Sequence, residues 1–164
     1  MNRPAILFLF DSMLWKTAKW MRLIGVDAEF VSGSDTEVLR KAGESGRILV
    51  TRDGELAERA WEKGLACVLL PQGSVEEDVG KLLAAYGLEA RFPEGTRCPE
   101  CNGELEKAEC GSLADVPEDV KVGGKRCWKC ASCGKSYWEG GHWINIKKVL
   151  GKIEEQRKIF SEKR

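Results

Sequence analysis

The sequence predicts an α/β fold with a parallel sheet, followed by a smaller domain that is rich in cysteine. The first observation is that apolar, strand-like runs alternate with helix-like segments through the first ninety residues. The second is that six of the seven cysteines fall between Cys98 and Cys133. The length of 164 residues suits one medium domain or two small ones. Such alternation is typical of a parallel sheet with helices on both faces.

Four short apolar runs in the first ninety residues predict the strands of the sheet. They are residues 5–10, 28–31, 47–51 and 65–70. Apolar side chains recur at helical spacing after each run, and two of these helical segments end on Gly25 and Gly64. The predicted helices are residues 13–25, 36–46, 54–64 and 74–87.

The composition of the chain changes near residue 91. The stretch RFPEGTR, residues 91–97, predicts a linker, and the cysteine-rich segment begins at Cys98. Residues 145–160 predict a basic-leaning helix whose apolar positions pack back on one of the domains. The expected units are a first domain at 1–92, a small cysteine-rich domain at 98–143 and a C-terminal helix at 144–164.

Charge and hydropathy exclude several classes of protein. The 26 basic residues balance 26 acidic ones, which argues against a protein that coats nucleic acid but not against a local basic groove. No apolar stretch is long enough to span a membrane, and the N-terminus lacks a signal-peptide pattern. We therefore expect a cytoplasmic protein with no membrane partner. Thiols stay reduced in that compartment, so clustered cysteines there more often bind metal than form disulfides.

Aspartates stand at or near the ends of three predicted strands. Asp11 follows the first strand, Asp53 follows the third, and Asp35 lies four residues beyond the second. The carboxyl ends of parallel strands meet at one edge of the sheet, so these carboxylates can converge there. Converging carboxylates repel one another unless a cation lies between them, and oxygen ligands suit Mg²⁺ or Mn²⁺. The pattern predicts a metal site that can activate water against a phosphodiester.

Helix capping is the alternative explanation for the same aspartates. Aspartate is a favoured N-cap residue, and each of the three precedes a predicted helix. Ser34 and Glu37 even have the spacing of a capping box at the second helix. Capping and metal binding are not mutually exclusive roles.

Several basic residues lie near the predicted acidic edge. Lys16 and Arg22 are the predicted phosphate contacts, and ordinary solvated charge is the alternative for them and for Lys19. Arg52 stands between a core strand and Asp53, so we expect it to act together with the catalytic acids.

The cysteine-rich segment contains one clear pair and one ambiguous run. Cys98 and Cys101 form the first pair, and the run CWKCASC offers either Cys127 with Cys130 or Cys130 with Cys133. In a zinc knuckle the chain turns sharply after the second cysteine, which favours Gly or Asn because they tolerate positive φ. Asn-Gly follows the first pair and Gly follows Cys133. We therefore assign one tetrahedral Zn²⁺ to Cys98, Cys101, Cys130 and Cys133.

The remaining cysteines and the single histidine are assigned more ordinary roles. Cys110 and Cys127 are interpreted as unbound thiols, and Cys67 as a small core residue. Four thiolates leave no open position for water, so the zinc is expected to be structural. His142 lies in an aromatic segment and is a candidate substrate contact, with a turn hydrogen bond as the alternative.

Four segments, taken in order, resemble one known protein family. They are LFDSMLWKTAKWMRLIGVD, SDTEVLRKAGESGRILVTRD, CPECNGEL and CGKSYWEGGHW. Their order is similar to that of the Mut-seven C-terminal RNase family, in which a PIN-like nuclease domain is fused to a zinc ribbon. The resemblance covers nearly the whole chain except the last twenty residues.

The resemblance implies a PIN-like, three-layer α/β/α domain that cleaves RNA with a metal, followed by a zinc ribbon. The family's acids fall on Asp11, Asp35 and Asp53, and its ribbon cysteines fall on the four assigned above. The fourth acid of many larger PIN domains has no clear counterpart, with Glu37 and Glu55 as the nearest substitutes. We therefore expect a Mg²⁺- or Mn²⁺-dependent ribonuclease. The alternative is a non-catalytic RNA-binding or ribosome-associated adaptor that binds through its ribbon.

Overall fold

The computed structural model describes residues 5–163 and begins with a four-stranded sheet. Its strands are β1 (Phe8–Phe10), β2 (Ala28–Phe30), β3 (Ile48–Thr51) and β4 (Cys67–Leu69). They pair in the order β2-β1-β3-β4, and every neighbouring pair is parallel. The helices that follow them are α1 (Trp15–Leu23), α2 (Asp35–Ser45), α3 (Gly54–Glu62) and α4 (Val75–Tyr86). The predicted α/β class with a parallel sheet is confirmed.

Helices cover both faces of this sheet. On one face, Phe8, Phe10 and Val50 pack with apolar residues of α1 and α4. On the other face, Leu9 and Leu49 pack with apolar residues of α2 and α3. Alternate strand residues therefore enter different cores, which explains why the strands are apolar throughout. Pairing of the first strand begins at Phe8 rather than at the predicted residue 5.

A smaller antiparallel sheet forms the second domain. Its strands are β5 (Leu105–Ala108), β6 (Cys127–Cys130) and β7 (Ser136–Trp138), in the order β5-β6-β7. The insert between β5 and β6 contains a short helix, α5 (Glu118–Val122), that the sequence did not predict. A disulfide joins Cys110 to Cys127, which corrects the interpretation of these residues as unbound thiols. The two sulfurs belong to the small apolar core that holds the insert, where they pack with residues such as Val120.

The C-terminal helix α6 (Trp143–Glu162) connects the two domains. Its first residue, Trp143, stacks on Trp128 of the second domain with ring centroids 5.7 Å apart. Further along, Ile153 is buried in the core of the first domain beside α4. Gly80 allows the close approach of the two helices, because a Cβ there would lie 2.5 Å from Cβ of Gln156. Although α6 is 20 residues long, neither it nor another helix within residues 5–163 has the apolar length needed to cross a membrane.

The second domain docks at the amino end of the sheet. Arg22 is buried, and its Nε donates to the carbonyl of Ala28 at 2.7 Å while Nη1 donates to the carbonyl of Pro99 at 2.8 Å. The side chain of Asn102 accepts from the Ala28 amide at 3.1 Å and donates to Asp27 Oδ1 at 2.7 Å. Ala28 is the first residue of β2, so these contacts lie at the edge opposite the carboxyl ends of the strands.

Asp27 is the charged centre of this domain contact. Arg47 donates to its Oδ1 at 2.7 Å, and Arg97 lies 3.5 Å from Oδ2. Burial favours the neutral acid, but the hydrogen bonds from Arg47 and Asn102 and the nearby positive charges outweigh it. The pKa of Asp27 therefore lies below its ordinary value, and the carboxylate stays ionised while it holds Asn102.

Candidate active site and candidate metal centre

Three aspartates follow three neighbouring strands at the carboxyl edge of the parallel sheet. β1 lies between β2 and β3, so Asp11 occupies the central position, with Asp35 beyond β2 and Asp53 beyond β3. We call these three residues the acidic edge. The arrangement results from strand order and not from closeness in sequence.

Asp11 is the most buried of the three acids. It follows β1 directly, only 5% of its surface is exposed, and its amide donates to the carbonyl of Val50 at 3.2 Å. Oδ1 accepts from the amide of Met13 at 3.0 Å, which caps the short 3-10 turn before α1. Oδ2 accepts from the hydroxyl of Thr51. The carboxylate is therefore held in a fixed orientation.

Asp53 is exposed and caps α3. Its Oδ1 accepts from the amides of Glu55 at 2.9 Å and Leu56 at 3.2 Å. Its own amide donates to the Thr51 hydroxyl at 3.0 Å. Because the same hydroxyl donates to Asp11, the fully buried Thr51 joins the central acid to the loop of its neighbour. Thr51 was not among the predicted site residues, although the sequence shows a hydroxyl residue two positions before an acid at a strand end.

Asp35 is the first residue of α2, and its carboxylate is half exposed. Oδ2 forms an ion pair with Arg59 of α3 at 2.8 Å. The cap of α2 is Ser34, whose hydroxyl accepts from the amide of Glu37 while the Glu37 carboxylate accepts from the amide of Ser34. These hydrogen bonds hold the pKa of Glu37 below its ordinary value. Capping is thus the task of Ser34 and Glu37, and Asp35 is not needed for it.

The three carboxylates do not form a closed cluster. Within residues 5–163, only the four cysteines bring three or more potential metal-ligand atoms within 4.8 Å of one another. The acids therefore share an edge while each is engaged by its own local partners.

Arg52 has a different environment from the predicted one. Its side chain is only 11% exposed and forms an ion pair with buried Asp78, with Nη2 2.8 Å from Oδ2. It also donates to the carbonyls of Pro71 and Gly73, each at 2.9 Å, while Thr17 donates to Asp78 at 3.1 Å. Burial raises the pKa of Asp78, and the Arg52 charge opposes that shift. The guanidinium holds the loop between β4 and α4, which corrects its predicted direct role beside the acids.

The predicted substrate contacts lie in different parts of the molecule. Lys16 is exposed near the start of α1, close to the acidic edge. Arg22 is buried at the other end of α1 with its guanidinium bound to backbone carbonyls, so its predicted contact with phosphate is corrected to a domain contact. His142 is exposed just before α6 in the second domain, which docks at the opposite edge of the sheet.

The four assigned cysteines come together in the second domain. The Sγ atoms of Cys98 and Cys133 are 3.7 Å apart, and those of Cys101 and Cys130 are 3.4 Å apart. All four ligand atoms lie within 4.8 Å of one another, which is a suitable arrangement for one metal ion. Cys127 is outside the set, so the choice between the two overlapping pairs in the sequence was correct.

The turns after each cysteine pair have the positive φ that their Asn and Gly residues predict. Asn102 has a φ of 67° and Gly134 a φ of 76°. In the second turn, the amide of Cys133 points at Cys130 Sγ at 3.4 Å. Burial opposes ionisation of Cys130, but backbone hydrogen bonds from Cys133 and Ser132 outweigh it and lower the pKa of this thiol to about 7. The second turn thus favours the thiolate form of Cys130. In the first turn the Gly103 amide favours ionised Cys101, but burial and hydrogen bonds to the other three thiols outweigh it and raise the pKa of Cys101 to about 12.

One comparison with known proteins covers most of the chain. The model of the family described as Mut7-C RNAse domain matches residues 6–150. This range includes the whole acidic edge and all four clustered cysteines. No curated protein and no solved structure gives a match.

Proposed function

Because the chain belongs to the family of Mut7-C RNAse domains, we propose that it hydrolyses RNA phosphodiester bonds at the acidic edge with Mg²⁺ or Mn²⁺. One observation carries this proposal. Asp11, Asp35 and Asp53 follow three adjacent parallel strands, with the most buried acid in the centre. Ligand sites of open α/β sheets lie at this edge.

The donor set fits a hard divalent cation. All three side chains offer carboxylate oxygens, which Mg²⁺ and Mn²⁺ prefer. The hydrogen bonds to Asp53 fall on Oδ1, and the ion pair of Asp35 falls on Oδ2. Each carboxylate oxygen has two lone pairs, so these contacts leave acceptor capacity for a cation. When bound, the ion would supply a more acidic water and neutralise charge on the phosphodiester.

The residues of the chain orient the reacting groups. Thr51 fixes the direction of the Asp11 carboxylate and ties it to the loop of Asp53. The N-termini of α2 and α3 begin at this edge, and their positive dipole ends favour an anionic phosphate there. Lys16, which is exposed near the start of α1, would contact the RNA backbone.

We also propose that the cysteine cluster holds a structural Zn²⁺. Bonds of about 2.3 Å from zinc to sulfur give a tetrahedron whose edges are about 3.8 Å. The two close sulfur pairs, at 3.4 Å and 3.7 Å, are near that value. Four thiolates complete the coordination, so the ion would stabilise the ribbon without binding water.

A second candidate function is a non-catalytic RNA-binding adaptor. The observation that favours it is that every acid of the edge already has a structural partner, either a helix amide or Arg59. In that case Asp11 and Asp53 stabilise the starts of their helices, Asp35 holds Arg59, and the protein binds RNA without cleaving it.

Cleavage of labelled single-stranded RNA separates the two candidates. The purified, zinc-loaded protein is assayed with Mn²⁺, Mg²⁺ or no added metal, beside Asp11→Asn and the control Asp119→Asn. Asp119 is an exposed acid on α5, far in the chain from the acidic edge. The ribonuclease proposal expects metal-dependent cleavage that is lost in Asp11→Asn and kept in Asp119→Asn. RNA binding without cleavage in any metal, by folded protein, would favour the adaptor.

A further inference from the structure

The start of α1 presents an exposed aromatic ring beside the acidic edge. Trp15 is the first residue of α1, and 45% of its surface is exposed. Met13, between Asp11 and Trp15, is 61% exposed. Helical turns advance about 1.5–2 Å per residue, so the four residues from Asp11 to Trp15 span roughly 6–8 Å.

Two lysines lie over this ring. The Nζ atoms of Lys16 and Lys19 are 5.6 Å and 5.3 Å from the ring centroid of Trp15. Lys19 also pairs with Glu100 at 3.0 Å, whereas Lys16 is exposed. A base that stacks on this ring would displace the ammonium groups from it, and the ammonium groups would then be close enough to bind the phosphates of the same RNA segment.

A second exposed tryptophan, Trp61, lacks the features that distinguish Trp15. Trp61 of α3 is 49% exposed, but its Nε1 donates to the carbonyl of Cys67 at 3.1 Å. None of the cation–ring contacts within residues 5–163 involves Trp61. It lies near the end of α3, on the face of the sheet opposite α1.

We propose that Trp15 is a stacking platform for an unpaired base and that the substrate is single-stranded RNA. The inference rests on the proposed ribonuclease function and specifies its substrate class. Because Trp15 follows Asp11 by only four residues, a base on the ring belongs to the same short RNA segment as the reacting phosphate. Lys16 then binds a phosphate of the same segment. Bases in the interior of a duplex are already stacked and paired, so they cannot stack on the ring.

Equilibrium binding to a short, labelled, unpaired RNA tests the proposal without turnover. Binding is measured in the Asp11→Asn background with zinc present and no Mg²⁺ or Mn²⁺, and Asp53→Asn replaces that background if Asp11→Asn does not fold. Adding Trp15→Ala is expected to weaken binding by about tenfold, the effect of losing one base–aromatic stack. Trp15→Phe is expected to keep most of the affinity, and Trp61→Ala all of it. Affinity for a long RNA duplex, whose two ends are a small share of its binding sites, is expected to be the same with and without Trp15.

The outcomes separate this inference from the function on which it rests. Equal binding of unpaired RNA by the Trp15→Ala protein and its parent would overturn the platform, even if the enzyme cleaves RNA. Loss of binding in Trp15→Ala combined with no cleavage by the parent would contradict only the ribonuclease proposal. In active protein, Trp15→Ala is expected to raise KM for unpaired RNA more than it lowers kcat, because the ring binds substrate away from the reacting phosphate.

Discussion

Replacement of Thr51 by valine tests the link between the two best-placed acids. The side chain is fully buried, and its hydroxyl donates to Asp11 while accepting from the Asp53 amide at 3.0 Å. Valine has nearly the same shape, so the change removes the hydroxyl without opening a cavity. A hydrogen bond to a charged group contributes about 1.5–3 kcal/mol to the free energy of unfolding, and the hydrogen bond from the Asp53 amide contributes about 0.5–1.5 kcal/mol. We therefore expect Thr51→Val to lose about 3 kcal/mol of unfolding free energy.

Removal of the hydroxyl has two measurable consequences. A protein of this size loses about 2–4 °C in Tm for each kcal/mol, so the melting temperature is expected to fall by about 6–12 °C. The partner that orients a metal ligand affects metal affinity by about 10–100-fold, so cleavage is expected to need that much more Mn²⁺.

Thr51→Ser is the matched control for the valine variant. It keeps the hydroxyl that joins Asp11 to Asp53 and removes only a methyl group, so its Mn²⁺ requirement is expected to stay near that of the parent. Thermal melting followed by circular dichroism gives the stability, and cleavage rates across a Mn²⁺ series give the metal requirement. If the valine variant melts with the parent and needs no more Mn²⁺, then Thr51 does not organise the acids.

Three further predictions concern the contact between α4 and α6, the disulfide of the second domain, and the contact between the two domains. Gly80→Ala is expected to lower the unfolding free energy by about 2 kcal/mol, because its Cβ would lie 2.5 Å from an atom of α6. Gly151→Ala, whose Cβ would have no neighbour within 4 Å, is expected to raise the unfolding free energy by up to about 1 kcal/mol. Thermal melts of both variants measure the difference. Replacing Cys110 and Cys127 together by serine is expected to cost about 3 kcal/mol for the lost cross-link, seen as faster proteolysis of the insert, and unchanged proteolysis would refute this. Asp27→Asn is expected to lower the free energy of unfolding at neutral pH. The difference in unfolding free energy between the variant and the parent is expected to disappear as pH falls through the depressed pKa of Asp27, below about 3.9. A difference that is independent of pH would count against the ion pairs of Asp27 with Arg47 and Arg97.

The sequence predicted the fold of the first domain well because its signals are local. Each strand is a short apolar run, and each helix has an apolar stripe with a recognisable start or stop, such as Ser34 with Glu37 or Gly46 with a φ of 64°. The second pair of clustered cysteines was also predictable, since Gly134 signalled the turn after Cys133.

The wrong predictions concern side chains whose direction and distant partners a sequence does not show. A sequence places Arg22 and Arg52 near the right elements but does not show that each guanidinium turns inward to backbone carbonyls. Asp78 gave a local signal, an acid among the apolar positions of α4, but its partner Arg52 is 26 residues away. The disulfide was missed because the expectation of reduced thiols came from the presumed compartment, whereas the pairing of β5 with β6 brings Cys110 close to Cys127.

Binding of Mn²⁺ to zinc-loaded protein, measured by calorimetric titration without RNA, tests the central claim most directly. The claim is that Asp11, Asp35 and Asp53 act as one cation site at the carboxyl edge of the sheet. It predicts that the parent binds Mn²⁺, that Asp11→Asn weakens binding by at least about tenfold, and that Asp119→Asn leaves it unchanged. Equal Mn²⁺ affinity in the parent and in a folded Asp11→Asn variant would contradict it.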